Sequence, residues 1–144
     1  MAKSNPYVIL SAAISIDGKI STIAGDSKLS SKEDHTRLHK LRSKVDAILI
    51  GKNTLLQDDP LLTVRYTKGK NPIRIILDSK GTIPINSRII KTSNEISTII
   101  AVSKQISKIN LLKLKKLPIE IITAGENSVN LKLLMKKLSS KKIK

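Results

Sequence analysis

Apolar and polar positions change period repeatedly along the chain, and those changes divide it into strands and helices. Runs rich in Ile, Val and Leu at 6–14 (PYVILSAAI), 45–50 (VDAILI), 73–77 (IRIIL), 97–102 (STIIAV) and 119–123 (IEIIT) predict five strands. Ser15 to Gly18 reads as a turn carrying the Asp-Gly signal. A helix is predicted over 31–43, capped by Ser30 or Ser31, with Glu33 and Asp34 in its first turn and Leu38 and Leu41 on its apolar side. A short helical turn follows Gly51, and Pro60 directs Asp59 towards an extended conformation. A short segment near Arg88 to Ile90 and helices over 106–117 and about 130–139 complete the pattern. In the last helix Leu131, Leu134, Met135 and Leu138 form one apolar stripe.

Strands alternating with helices predict an α/β class, with a mostly parallel central sheet flanked by helices. The last helix has no return strand after it, so the chain is expected to stop short of a complete sheet. The 144 residues fit one domain. Hydrophobic residues make up 40% of them, yet Phe and Trp are absent and Tyr7 and Tyr66 are the aromatics. Such an aliphatic core suits strands buried on both faces. Cysteine is absent, which excludes disulfides, thiolate metal sites and cysteine nucleophiles. No apolar run approaches the roughly 18 residues of a membrane span, and no signal segment is visible, so a cytoplasmic protein is expected. The net charge of +16 admits nucleic-acid binding. Against it stands the lack of aromatic stacking platforms, and the lysines spread along helices as solvated faces.

Three places carry candidate chemistry. In 51–65 (GKNTLLQDDPLLTVR) a helix start after Gly51 offers free N–H groups to a phosphate, or else Asp58 and Asp59 merely close a turn. Asp78-Ser79-Lys80-Gly81 follows a strand end, where ligands of open α/β sheets gather, or is a plain loop. Arg42 and Arg65 are suited to bidentate phosphate capture, although Arg42 at a helix C-terminus also complements the dipole. His35 and His39, one helical turn apart, lack a third ligand, so no metal site is expected.

Together these segments resemble the NADPH-dependent reductases of riboflavin biosynthesis, which have a dihydrofolate-reductase-like fold. The resemblance runs through 6–22, DSKLSS at 26–31, 38–65 and NPIRIILDSKGTIP at 71–84. Its most specific part is the Gly-x-x-Thr-x-x-x-Asp-Asp-Pro-x-Leu-Thr-x-Arg run. It implies cofactor contacts at Ala13 (the end of the first strand), Thr54, Asp58, Asp78, Ser79, Lys80 and, more loosely, Gly125. For the substrate it implies Ser27, Arg42, Leu62 and Arg65 around a ribose 5-phosphate, with Leu29 where bacterial relatives often carry Trp. The implied reaction is hydride transfer from the nicotinamide to C1′ of a ring-opened ribosyl imine, giving a ribitylamino group. No catalytic acid or nucleophile is implied.

Bacterial relatives carry a zinc deaminase domain that a chain without cysteine cannot build. The resemblance therefore implies a stand-alone reductase acting on the 2,5-diaminopyrimidinone rather than the uracil form, and a homodimer at full length. Family members continue for about a further third of the domain, through a strand into a Glu-Gly-Gly loop. Lost apolar burial, at about 25 cal/mol per Å², makes a poorly stable and inactive chain the expectation for these 144 residues alone. The alternatives are a catalytically inactive fragment of such a reductase and, more weakly, a basic nucleic-acid-binding module.

Overall fold

The structure, a computed structural model, describes residues 5–23 and 31–144. Four strands, β1 (Ala47–Gly51), β2 (Ile73–Leu77), β3 (Thr98–Val102) and β4 (Glu120–Thr123), lie in sequence order in one sheet. Each pairs in parallel with the next. Helix α1 (Lys32–Arg42) precedes β1, and α2 (Lys52–Asp58), α3 (Arg88–Lys91) and α4 (Lys108–Lys115) lie in the crossovers that parallel neighbours require. Helix α5 (Leu131–Ser140) follows β4. The expected α/β class and parallel sheet are thus present.

Side chains alternate across the pleat and build two aliphatic layers. On one face Ile76, Ile100 and Val102 meet Leu55 of α2, Ile89 and Ile90 of α3 and Leu114 of α4, with Ile48 and Ile50 of β1 packed alongside. On the other, Ile75, Ile99, Ala101 and Ile122 meet Leu134 and Leu138 of α5. The predicted stripe of α5 is covered in part: Leu131 remains 53% exposed. After α5 the backbone turns at Lys142 (φ 64°) and buries Ile143 in the same layer, and the Lys144 N–H donates to Asp46 (2.9 Å) just before β1.

Three helix starts are capped by side chains. The Ser31 hydroxyl accepts from the Asp34 N–H, Ser107 caps α4 and Asn130 caps α5. On α1 the buried residue is His39, while Leu38 and Leu41 are half-buried.

Two expectations are corrected. Residues 6–14 are not a strand: they have no regular structure, and Tyr7 and Leu10 are 83% and 92% exposed. An apolar run becomes a strand only when a neighbour takes its N–H and C=O groups, and no described element pairs with this one. Ala13 therefore lies in an unpaired segment and not at a strand end. The turn that follows does form, with the Gly18 N–H on the Ser15 carbonyl (2.9 Å). Asp59, expected to be extended before Pro60, is left-handed (φ 36°, ψ 55°) as the C-cap of α2, its N–H on the Leu55 carbonyl. Proline disfavours the right-handed region at the residue before it, and the helix stop is made in the left-handed one.

Arg74 on β2, absent from the sequence reading, is fully buried. Its guanidinium donates to the carbonyls of Ile89 (2.9 Å), Ile96 (3.1 Å) and Leu61 (3.3 Å) and to the hydroxyls of Thr92 and Thr98 (both 2.7 Å). One cation thus joins β2, α3, the start of β3 and the loop after α2. Replacing one partner of such a network strands the carbonyls it served. Arg74→Met is expected to lower the unfolding free energy by about 3 kcal/mol or more. Urea denaturation followed by far-UV circular dichroism measures this, and an unchanged midpoint would contradict it.

Candidate functional site

Parallel pairing brings the C-terminal ends of all four strands to one end of the sheet, and four loops meet there. Gly51 at the tip of β1 is the N-cap of α2 and provides no side-chain cap. Beyond β2, the buried Asp78 carboxylate accepts from the backbone N–H groups of Thr82 and Ile83, closing the 78–83 loop. The Ser79 carbonyl accepts from both the N–H (3.0 Å) and hydroxyl (2.9 Å) of Ser103 beyond β3. Its hydroxyl oxygen accepts from the Val129 N–H (3.0 Å) beyond β4, which leaves the hydroxyl proton available to a further acceptor.

Gly125 sits at φ 108°, and its carbonyl accepts from the Lys104 N–H (3.0 Å). A Cβ there would collide with the Ser128 carbonyl, so only glycine allows the 124–130 turn to close this tightly. Lys80 is exposed, and Lys52 donates from its ammonium to the Thr82 hydroxyl (2.6 Å). Ser79 and Gly125 are thus joined through the bonds of Ser103, Lys104 and Val129, and the cations Lys52 and Lys80 belong to the same set of loops. Lys52 was not among the expected residues. Its position directly after Gly51 was the available signal.

Thr54 and Asp58 are exposed on α2, four residues apart and so on one helix face. Over seven residues α2 runs about 10 Å away from the strand tips, and Asp59 then ties its end to α3 by accepting from the Arg88 N–H (2.9 Å). Leu62 has φ 55° and is buried in the aliphatic layer with Leu55 and Ile76. Its side chain serves the core, which leaves only its backbone to a ligand.

Arg42 and Arg65 converge. The Arg42 guanidinium donates to the Thr63 carbonyl (3.3 Å) and that of Arg65 to the Thr63 hydroxyl (2.9 Å). His39 stands between them: its Nδ1 accepts the Arg65 backbone N–H (2.8 Å), and its Nε2 is 3.4 Å from Arg42 Nη1. The Tyr66 ring meets the imidazole edge to face at 4.6 Å, and the Arg65 guanidinium lies 5.9 Å from the centre of the Tyr66 ring. Among the described residues no ion pair neutralises either arginine. Burial, followed by the adjacent Arg65, lowers the pKa of Arg42. Two convergent guanidinium groups without a carboxylate ion-paired to them can hold an anion.

The cluster is not at the strand tips. Arg42 ends the helix that leads into β1, and the Val64 N–H is held by Asn71 (2.8 Å), two residues before β2 starts. The arginines therefore lie towards the ends where β1 and β2 begin. The five residues of β1, about 16 Å of strand, lie between them and the tips, and α2 with the loop after it leads from one to the other. The candidate cofactor residues and the candidate phosphate arginines thus fall into two groups. Ser27 and Leu29 lie outside the described residues. Among the described residues no cluster of three metal-ligating side chains forms, and no helix is long and apolar enough to cross a membrane.

The fold and the two clusters define an α/β protein of the dihydrofolate-reductase-like class, comprising part of that architecture. The chain belongs to the RibD C-terminal domain family, which matches residues 6–144. It is 42% identical over 136 residues to the 2,5-diamino-6-ribosylamino-4(3H)-pyrimidinone 5′-phosphate reductase of Methanothermobacter thermautotrophicus, covering 92% of this chain and 62% of that protein. It is 40% identical to the Aquifex aeolicus protein of the same name, covering 96% and 64%. Among solved structures, a deaminase/5-amino-6-(5-phosphoribosylamino)uracil reductase of Thermotoga maritima superposes with a TM-score of 0.77 at 27% identity, over 96% of this chain and 37% of that one. The chain therefore spans less than two thirds of the length of these curated relatives.

Burial, then the charges of Arg42, Arg65 and His35, push the His39 imidazole down to about 4. An unfolded chain takes up that proton near 6.5. Between about 4 and 6.5 the unfolded state then holds more protons, so this contribution to stability rises with pH. It is fully present above 6.5 and lost as the pH falls towards 4. The urea midpoint is expected to fall across that window more steeply for wild type than for His39→Asn, and equal slopes would contradict the assignment.

Proposed function

We propose that the chain forms the cofactor-binding and phosphate-binding part of an NADPH-dependent reductase acting on 2,5-diamino-6-ribosylamino-4(3H)-pyrimidinone 5′-phosphate in riboflavin biosynthesis. The observation that carries this reading is the pair of cationic clusters one strand length apart, in a chain 42% identical to a reductase of that name. Two phosphorylated ligands meeting end to end along α2 need such a separation, and a single nucleotide does not.

On this reading Ser79, Lys80, Lys52 and the Gly125 turn hold the phosphorylated dinucleotide, with Thr54 and Asp58 of α2 and the half-buried Ala13 beside it. The fit rests on the free donor of Ser79, the two ammonium groups and the turn that admits only glycine. Asp78 acts by shaping the 78–83 loop. Bound NADPH supplies the hydride that reduces C1′ of the ribosyl group. Arg42 and Arg65 grip the 5′-phosphate, Leu62 offers backbone, and Ser27 and Leu29 complete the substrate side as the family resemblance implies. The arginines anchor the non-reacting end of the substrate, and that binding energy orients the reacting carbon. A cytoplasmic homodimer is the corresponding assembly.

The alternative is binding of both ligands without turnover. Substrate-dependent oxidation of NADPH by the purified chain supports the reductase. Binding of both ligands without oxidation supports the alternative. In either case Arg42→Met and Arg65→Met are each expected to weaken ribose 5-phosphate binding by about tenfold or more, from roughly 1.5–3 kcal/mol per charged hydrogen bond. Calorimetric titration measures this, and unchanged affinity in both variants would remove the arginines from the site.

A further inference from the structure

We propose that His39 is a positioning residue for the phosphate grip: as a neutral Nε2–H tautomer it anchors the backbone of Arg65 and sets its spacing from Arg42. The proposal rests on the reading of Arg42 and Arg65 as the phosphate-binding pair.

His39 is 2% exposed, on the last turn of α1, three residues before Arg42 and on the same helix face. Its Nδ1 accepts the Arg65 N–H at 2.8 Å across 26 residues of sequence, which fixes the loop after α2 to the helix. An acceptor at Nδ1 of a neutral ring leaves the proton on Nε2. That N–H then lies 3.4 Å from Arg42 Nη1, donor beside donor, so neither satisfies the other. The other N–H groups of Arg42 are left to a phosphate oxygen, and Arg65, held on the Thr63 hydroxyl, can take a second.

The chemistry of the residue matters. A carboxylate here would neutralise the guanidinium groups and compete with the ligand. A protonated imidazole would lose the acceptor and add a third cation. The charged or titratable groups around the ring are Arg42 and His35 from α1 and Arg65 with Tyr66 from the loop. Burial and the neighbouring cations hold the ring neutral at ordinary pH.

The test uses the whole 144-residue chain with ribose 5-phosphate as probe. Long-range ¹H–¹⁵N spectra are expected to show the Nε2–H tautomer for His39; an Nδ1–H or doubly protonated ring at neutral pH overturns the proposal. Asn places its carbonyl where Nδ1 stands, whereas Gln places it nearer Nε2. His39→Asn is therefore expected to bind within about threefold of wild type and His39→Gln to lose about tenfold, a difference of one hydrogen bond to the Arg65 amide. Far-UV circular dichroism is expected to be unchanged in both. Equal affinity for wild type and both variants overturns the proposal alone. Absence of ribose 5-phosphate binding by wild type overturns the reading of the arginine pair and the proposal with it.

Discussion

A parallel sheet presents apolar side chains on both faces, so neither face can be left to water. Here the three crossovers place α2, α3 and α4 on one face, and α5 with Ile143 covers much of the other, leaving Leu49 of β1 exposed. With both faces occupied, polar chemistry is confined to the ends of the strands and to the loops that leave them. The Ser79, Ser103 and Gly125 loops occupy one end, and the Arg42–His39–Arg65 cluster lies towards the other.

The loop after α2 links these regions and is held by unusual means. It contains two left-handed non-glycine residues, Asp59 and Leu62, conformations that persist only when their surroundings enforce them. The Asp59 carboxylate is tied to α3, the Leu61 carbonyl to buried Arg74, Leu62 to the aliphatic layer and the Arg65 amide to His39. Each tie comes from a different element. The positions of Thr63 and Arg65 thus follow from packing of the whole α/β layer, and a change at Arg74 reaches the arginine cluster through Leu61.

Much of this was legible in the chain itself. β2 matches its predicted residues 73–77, and β1, β3 and β4 differ from prediction by one or two residues, because β-branched runs and flanking turn residues are local signals. The apolar stripe of α5 and the convergence of Arg42 and Arg65 were also visible. Residues 6–14 were misread because a strand is a relation between segments, and composition reports only one partner. Arg74 escaped because one cation inside a strand reads as solvent-facing until its acceptors, far apart in sequence, are assembled. His39 was weighed as a metal ligand, since helical spacing pairs it with His35, while its actual partner, the Arg65 amide, is 26 residues away. The division of the site into two clusters depends on which end of the sheet each loop reaches, and that is set by tertiary structure.

On the proposed reading the strand tips receive the dinucleotide while the arginine cluster remains free for a sugar phosphate. Amide chemical-shift mapping of the ¹⁵N-labelled chain with NADPH tests it most directly. Shifts are expected to concentrate at Gly51, Thr54, Ser79, Ser103 and Gly125 and to leave Arg42, Thr63 and Arg65 little changed. Shifts centred on Arg42 and Arg65, with the tip loops unaffected, would contradict it.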